Sequence, residues 1–95
     1  MGNIVFSRPV EAKLQNKHEV STKEVQECLN NQDGKPLKDT RDKHETNPPT
    51  MWIIAETNHG RLLKVCFVVK GSKVYIKTAY EPNEDEIAIY NKYGY

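Results

Sequence analysis

Apolar residues fall in short clusters along this chain, and the spacing inside each cluster predicts its structure. Ile4-Val5-Phe6 is a run of strand type. Ser7 follows as an N-cap, and Pro9 sits in the first helical turn, where a missing N–H costs nothing, so a helix is expected to about Lys17 or His18. Val10, Leu14 and, one turn on, Lys17 share its inner face, while Glu11, Lys13 and Gln15 face water. Ser21-Thr22-Lys23-Glu24 is a capping box that starts a second helix, stapled by Val20 and Val25. Val25, Cys28 and Leu29 form its buried stripe, and Asp33-Gly34 is expected to end it.

Between Lys35 and Thr50 nearly every residue is polar, charged or Pro, with Leu37 the sole aliphatic side chain. Such a segment predicts a flexible loop or a frayed edge strand, stiffened at Pro48-Pro49. The period then changes to two. Met51–Glu56, Arg61–Val69 and Lys73–Ala79 read as strands of an antiparallel meander, joined by turns at Asn58-His59-Gly60 and Lys70-Gly71-Ser72. The middle strand is apolar on both faces, as a central strand should be. Asn83 caps a last helix whose first turn holds Glu84, Asp85 and Glu86, and Ile87 and Tyr90 pack it on the sheet. The expected fold is one α+β domain over residues 1–95: two N-terminal helices, an antiparallel sheet of three to four strands and a C-terminal helix.

Composition narrows the setting. No apolar run approaches the length of a spanning helix, and the start of the chain lacks the basic flank and apolar stretch of a signal peptide, so a cytoplasmic protein is expected. Met1-Gly2 opens like a myristoylation signal, but Phe6 stands where that signal needs Ser or Thr. Cys28 and Cys66 have neither the number nor the spacing of a disulfide framework or zinc site, and read as two reduced core cysteines. The net charge of +1 hides an asymmetry. Arg61, Lys64, Lys70, Lys73 and Lys77 make the sheet basic against Glu56 alone, while Glu81, Glu84, Asp85 and Glu86 outweigh Lys92 thereafter.

Strict alternation lets one sheet face gather Lys64, Tyr75 and Lys77, and amines beside a phenol suit phosphate binding and base stacking on RNA. The plainer reading of each lysine is a solvated face. Lys17-His18 closes the first helix, where both interact with its negative dipole end; His18 can also serve as a base, since imidazole titrates near neutrality. His44 and His59 have no Cys or carboxylate at ligand spacing, so neither metal nor cofactor is expected. Electrostatics at a helix start accounts for most of the acidic cluster.

The order of these motifs resembles the BrnT-like toxins, members of the RelE superfamily of type II toxin–antitoxin ribonucleases. The resemblance runs from Phe6 to Tyr90, apart from the segment 35–50. Its opening is Phe6, Lys13, Lys17-His18, Val20-Ser21 and Glu24-Val25; its middle is Trp52-Ile53-Ile54 and Gly60-Arg61-Leu62-Leu63; its close is Ile76, Ala79, Glu86 and Tyr90. Three positions depart from the family pattern. Tyr80 stands where the family's closing strand has Arg, Glu19 where it commonly has Gly, and the last helix begins acidic rather than basic.

The resemblance implies a RelE/BrnT-like fold, RNA as the target and a cognate antitoxin, of the ribbon-helix-helix kind, as partner. It also implies metal-independent cleavage of RNA, in which Arg61, Lys64 and Lys77 hold the phosphate, Tyr80 or His18 moves the proton, and Lys17, Lys73 and Tyr75 contact the strand. The alternative is a non-catalytic protein-binding module, or a mobile-element regulator, with the same fold. The loss of Arg at position 80 and the acidic last helix favour that alternative; the Lys-His and Gly-Arg elements favour the ribonuclease.

Overall fold

The computed structural model describes residues 3–40 and 48–95. Its elements run β1 (Asn3–Val5), α1 (Arg8–His18), α2 (Thr22–Asn30), β2 (Leu37–Lys38), β3 (Met51–Glu56), β4 (Leu62–Lys70), β5 (Lys73–Tyr80) and α3 (Glu84–Tyr93). All five strands form one sheet in the order β1-β5-β4-β3-β2. The meander β3-β4-β5 is antiparallel as expected, and the sheet extends beyond it at both edges. The Ile4-Val5 run adds a strand parallel to β5, and Leu37-Lys38 adds a short antiparallel one beside β3. A purely antiparallel sheet of three to four strands is thereby corrected. Residues 6–72 supply the long connection that a parallel neighbour requires.

Register decides what each face carries. Trp52 pairs with Cys66 and Cys66 with Thr78; Ile54 pairs with Lys64 and Lys64 with Tyr80, so these six share a face. Ile53, Ala55, Leu63, Val65 and Ala79 take the other, where α1 and α2 cover them with Leu14, Val25, Cys28 and Leu29. Both cysteines are buried, and neither is in a disulfide. Burial pushes the Cys28 thiol up to about 12, and its sulfur lies 3.5 Å from the Ala55 carbonyl oxygen. The third helix lies on the first face, with Tyr90 5.5 Å from Trp52 between ring centroids.

The β4–β5 pairing slips between Cys66 and Phe67. Thr78 faces Cys66 and Ile76 faces Phe67, so Lys77 is left over as a bulge. Strict alternation therefore fails on β5, and Ile76 and Val74 turn to the helix-covered side, where both are buried. At the far end Lys70 pairs with Lys73 across a two-residue turn, in which Gly71 has φ +61°.

The helices follow their caps. Ser7 accepts from the Val10 N–H, and Ser21 and Glu24 form the reciprocal box. α1 ends at Glu19, which sits in the left-handed region at φ 53° while its N–H and that of Val20 both donate to the Leu14 carbonyl. Val20 thereby joins Leu14 in the core and Lys17 remains exposed, contrary to its expected inward face. α2 stops at Asn30, before Asp33-Gly34, because the Asn31 carboxamide donates to the Glu56 carbonyl and to Asn58 Oδ1. Gly34 then passes under α3: a Cβ there would lie 2.7 Å from the Tyr90 hydroxyl, which donates to the Lys35 carbonyl at 3.0 Å. In the polar segment, Leu37-Lys38 is strand and the Asp39 N–H donates to the Thr50 carbonyl, while residues 41–47 lie outside the described residues.

A left-handed Glu is strained where Gly is not. Glu19→Gly is expected to stabilise the fold by about 1 kcal/mol, read as a higher urea midpoint at unchanged slope; an unchanged or lower midpoint would contradict the strain.

Candidate functional site

The end of the sheet where β4 begins and β5 finishes carries two polar assemblies. Arg61 opens the first. Its Nε donates to Glu81 at 3.0 Å, and its Nη1 reaches the Glu24 carboxylate at 3.1 Å and the Glu19 carbonyl at 2.8 Å. Its Nη2 donates to the His18 carbonyl at 3.3 Å. One guanidinium thus binds the last carbonyls of α1, the capping carboxylate of α2 and the segment after β5. Only a planar fork with several donors can do this. Burial would raise the Glu24 carboxyl, but the Ser21 N–H and Arg61 outweigh it and hold the group below its ordinary 4.5.

The second assembly is centred on Lys64, which is 2% exposed. Its ammonium donates to Glu86 Oε2 at 2.7 Å and lies 4.5 Å from the centre of the Trp52 ring. The Tyr80 hydroxyl donates to the same Glu86 oxygen at 2.8 Å, which follows from Tyr80 being the cross-strand partner of Lys64. Glu86 Oε1 accepts from the Asn83 N–H at 3.0 Å while Asn83 caps the Glu86 N–H, so the carboxylate belongs to both a capping box and a buried ion pair. Burial alone would raise the Glu86 carboxyl; Lys64, the Asn83 N–H and Tyr80 reverse that and keep it below 4.5.

His18 joins this group from the end of α1, its ring 5.6 Å from that of Tyr80 and tilted by 36°. Partial burial, then the charges of Lys17 and Lys13, lower its pKa below 6.5, so the imidazole is mainly neutral at pH 7. Beside Lys64 and Glu86 opens a cleft of about 350 Å³, walled by Trp52, Leu37, Ile89 and Tyr93. A larger cleft, about 610 Å³, opens between the end of α2 and α3 and takes in none of these groups.

The residues singled out from sequence therefore separate. His18, Lys64 and Tyr80 come together, and Arg61 is tied to the same helix end. Lys17 is exposed beside His18, and Lys77 is exposed at the bulge. Lys73 and Tyr75 stand at the far end of β5, where Lys70 lies 5.9 Å from the Tyr75 ring. Tyr75, opposite Val68, shares the Lys64 face but stands at the other end of the pairing, and Lys77 is the bulged residue, so the three do not form one cluster. Sequence reasoning missed Glu86 as the partner of Lys64. The available signals were the Asn83-x-x-Glu86 spacing of a capping box and a lysine amid an apolar strand, which must find a counter-charge. Among the described residues no three His, Cys, Asp or Glu side chains are grouped to hold a metal ion, and no helix is long and apolar enough to cross a membrane.

Removing one member of a buried pair strands the other charge, whereas replacing both by apolar groups is far milder. Glu86→Gln is expected to cost about 3 kcal/mol in urea unfolding, and a Lys64→Met/Glu86→Leu double variant clearly less. A double variant as unstable as the single would contradict the pairing. Because Glu24 and Glu86 titrate below 4.5 in the folded state, their stabilisation is complete above that pH and is lost as pH falls through the folded values. The decline in stability between pH 5 and 3 should be shallower in Glu86→Gln than in the wild type; equal slopes would show that Glu86 is not held ionised.

No protein-family model matches the sequence, and no curated protein does. Among solved structures, the chain is similar to the crystal structure of the Brucella abortus ribonuclease toxin BrnT, with a TM-score of 0.64 at 16% identity. The match covers 88% of this chain and 100% of that one. The α+β fold built around Arg61 and Lys64 is a BrnT-like fold.

Proposed function

We propose that this protein is a divergent BrnT-like toxin component of a type II toxin–antitoxin pair, a cytoplasmic endoribonuclease that cuts RNA without a metal. The observation that carries the reading is a neutral imidazole, His18, at the edge of the Tyr80–Glu86–Lys64 chain in a BrnT-like fold. His18 takes the proton from a ribose 2′-hydroxyl. The 2′-oxygen attacks the adjacent phosphorus, the bond to the 5′-oxygen breaks, and the leaving 5′-oxygen takes a proton from water, giving a 2′,3′-cyclic phosphate and a 5′-hydroxyl end. Lys17 beside His18 and Lys77 at the bulge supply mobile positive charge for the phosphates, with Lys73 and Tyr75 further along the strand. Arg61 and Lys64, whose charges are already matched by carboxylates, act as positioning residues: Arg61 fixes the helix end that bears His18, and Lys64 fixes Tyr80 through Glu86.

The same saturation of Arg61 and Lys64 favours a second reading, a non-catalytic binding module or mobile-element regulator that keeps the fold and engages a protein partner.

The two readings part in one assay. Purified protein in EDTA should cleave single-stranded RNA, with an acid limb in its rate profile below pH 6.5 as His18 protonates. His18→Gln should lose about a hundredfold or more while retaining the wild-type urea midpoint. Intact RNA from folded wild-type protein would leave the binding module.

A further inference from the structure

β2 pairs with β3 only where Leu37 meets Trp52 and Lys38 meets Met51, so the outer edge of β3 has no strand beside it from Ile53 to Glu56. Across that edge the Asp39 N–H donates to the Thr50 carbonyl. Main-chain groups alternate sides along a strand, so Trp52, Ile54 and Glu56 turn theirs the same way as Thr50, away from β4. The ladder with β2 stops where α3 cuts in. The Tyr90 hydroxyl donates to the Lys35 carbonyl at 3.0 Å and meets the Ile54 N–H with its oxygen, while the Lys35 N–H goes to the Gly94 carbonyl at 2.7 Å. Further on, the Asn31 carboxamide takes the Glu56 carbonyl at 3.0 Å. Two groups of this edge remain, the Ile54 carbonyl and the Glu56 N–H, and no group among the described residues bonds either.

Ile54 and Glu56 both line the large cleft between the end of α2 and α3, whose 610 Å³ is ample for a short stretch of extended chain. The ligand whose own groups match is a polypeptide backbone. One residue of a strand running parallel to β3 satisfies both positions, its N–H on the Ile54 carbonyl and its carbonyl on the Glu56 N–H. The side chains of such a strand alternate between the two sheet faces. One set meets Ile54, Leu62 and Ile87 on the α3 side, and the other meets Asp33 beyond the end of α2. Asp33 and Glu56 are exposed carboxylates, and among the described residues lining the cleft none is basic. The rim therefore favours a cationic side chain.

We propose that this cleft is a strand-addition site for an extended segment of a partner protein in which apolar and basic residues alternate. The site stands apart from the chemistry assigned to His18, since the cleft takes in none of those groups, and it holds whether or not the chain cuts RNA.

The unbonded Glu56 N–H is the reporter. In amide NMR spectra of the full-length chain, a capped peptide of alternating valine and arginine should shift the Glu56 resonance and slow its exchange with solvent about tenfold or more. The same peptide N-methylated along its backbone keeps the charge and loses the donors, and should fail; so should one with glutamate in place of arginine. Asp33→Lys, an exposed change, should weaken binding about tenfold or more. Glu56→Pro removes the N–H from the outer side of an edge strand, where proline is tolerated, and should abolish binding; Asp33→Lys carries the test if that variant does not fold. An unmoved Glu56 amide with the arginine peptide, equal binding of the N-methylated peptide, or undiminished binding by Asp33→Lys would each overturn the site. So would a Glu56 amide that becomes protected as the concentration of the chain alone is raised, which would seat a second copy on the edge.

Discussion

A lysine inside a β-sheet cannot stay charged without a counter-charge, and nearly everything at the working end of this protein is arranged around how Lys64 meets that requirement. Its partner, Glu86, comes from the first turn of α3, where an asparagine cap and the helix N-terminus already favour a carboxylate. The ion pair thereby fixes where α3 starts on the sheet. It turns the hydroxyl of Tyr80 inward and forms the floor of the cleft that Trp52 and Tyr93 border. A pair so deeply placed contributes little net stability compared with apolar side chains of equal volume. Its retention is easier to understand as placement of groups than as reinforcement of the fold.

Arg61 does the corresponding work on the opposite layer. Offering a fork of donors, it joins two helix ends and the segment after β5 at one point, and it binds the backbone carbonyl of His18. The two cations that strict alternation and family pattern would have offered to a phosphate are thus committed inside the molecule. Lys17, near the end of α1, and Lys77, at the β5 bulge, stay exposed. Tyr80 offers a phenol tied to a carboxylate.

Much of the architecture was legible in the sequence because it is local. Ser7, Ser21 and Asn83 each announce a helix with their own side-chain oxygen, and the period-two runs around Ile53, Val65 and Val74 announce strands. What was not legible depends on partners distant in the chain. Ile4-Val5 reads as strand and the polar segment as a frayed edge strand or loop, but that the first lies parallel to β5 and that Leu37-Lys38 pairs with β3 is set by those distant partners. The bulge at Lys77 has no Gly or Pro to mark it; it takes Lys77 out of the pairing and leaves Tyr75 on the Lys64 face but at the far end of the strand. The left-handed turn at Glu19, at φ 53°, was hidden for the same reason, since no Gly marks it. At the site, the residue types His18, Lys64 and Tyr80 could be picked out one by one, but Glu86 could not be distinguished from its acidic neighbours, since only tertiary packing tells one carboxylate of a helix start from the next.

The account stands or falls on the chemistry assigned to the His18 end of the sheet. The most direct measurement is end-group analysis of RNA exposed to the EDTA-treated protein. Fragments ending in a 2′,3′-cyclic phosphate and beginning with a 5′-hydroxyl, absent with His18→Gln, are the predicted result. Fragments with 5′-phosphate ends, or uncut RNA from protein of native stability, would contradict it.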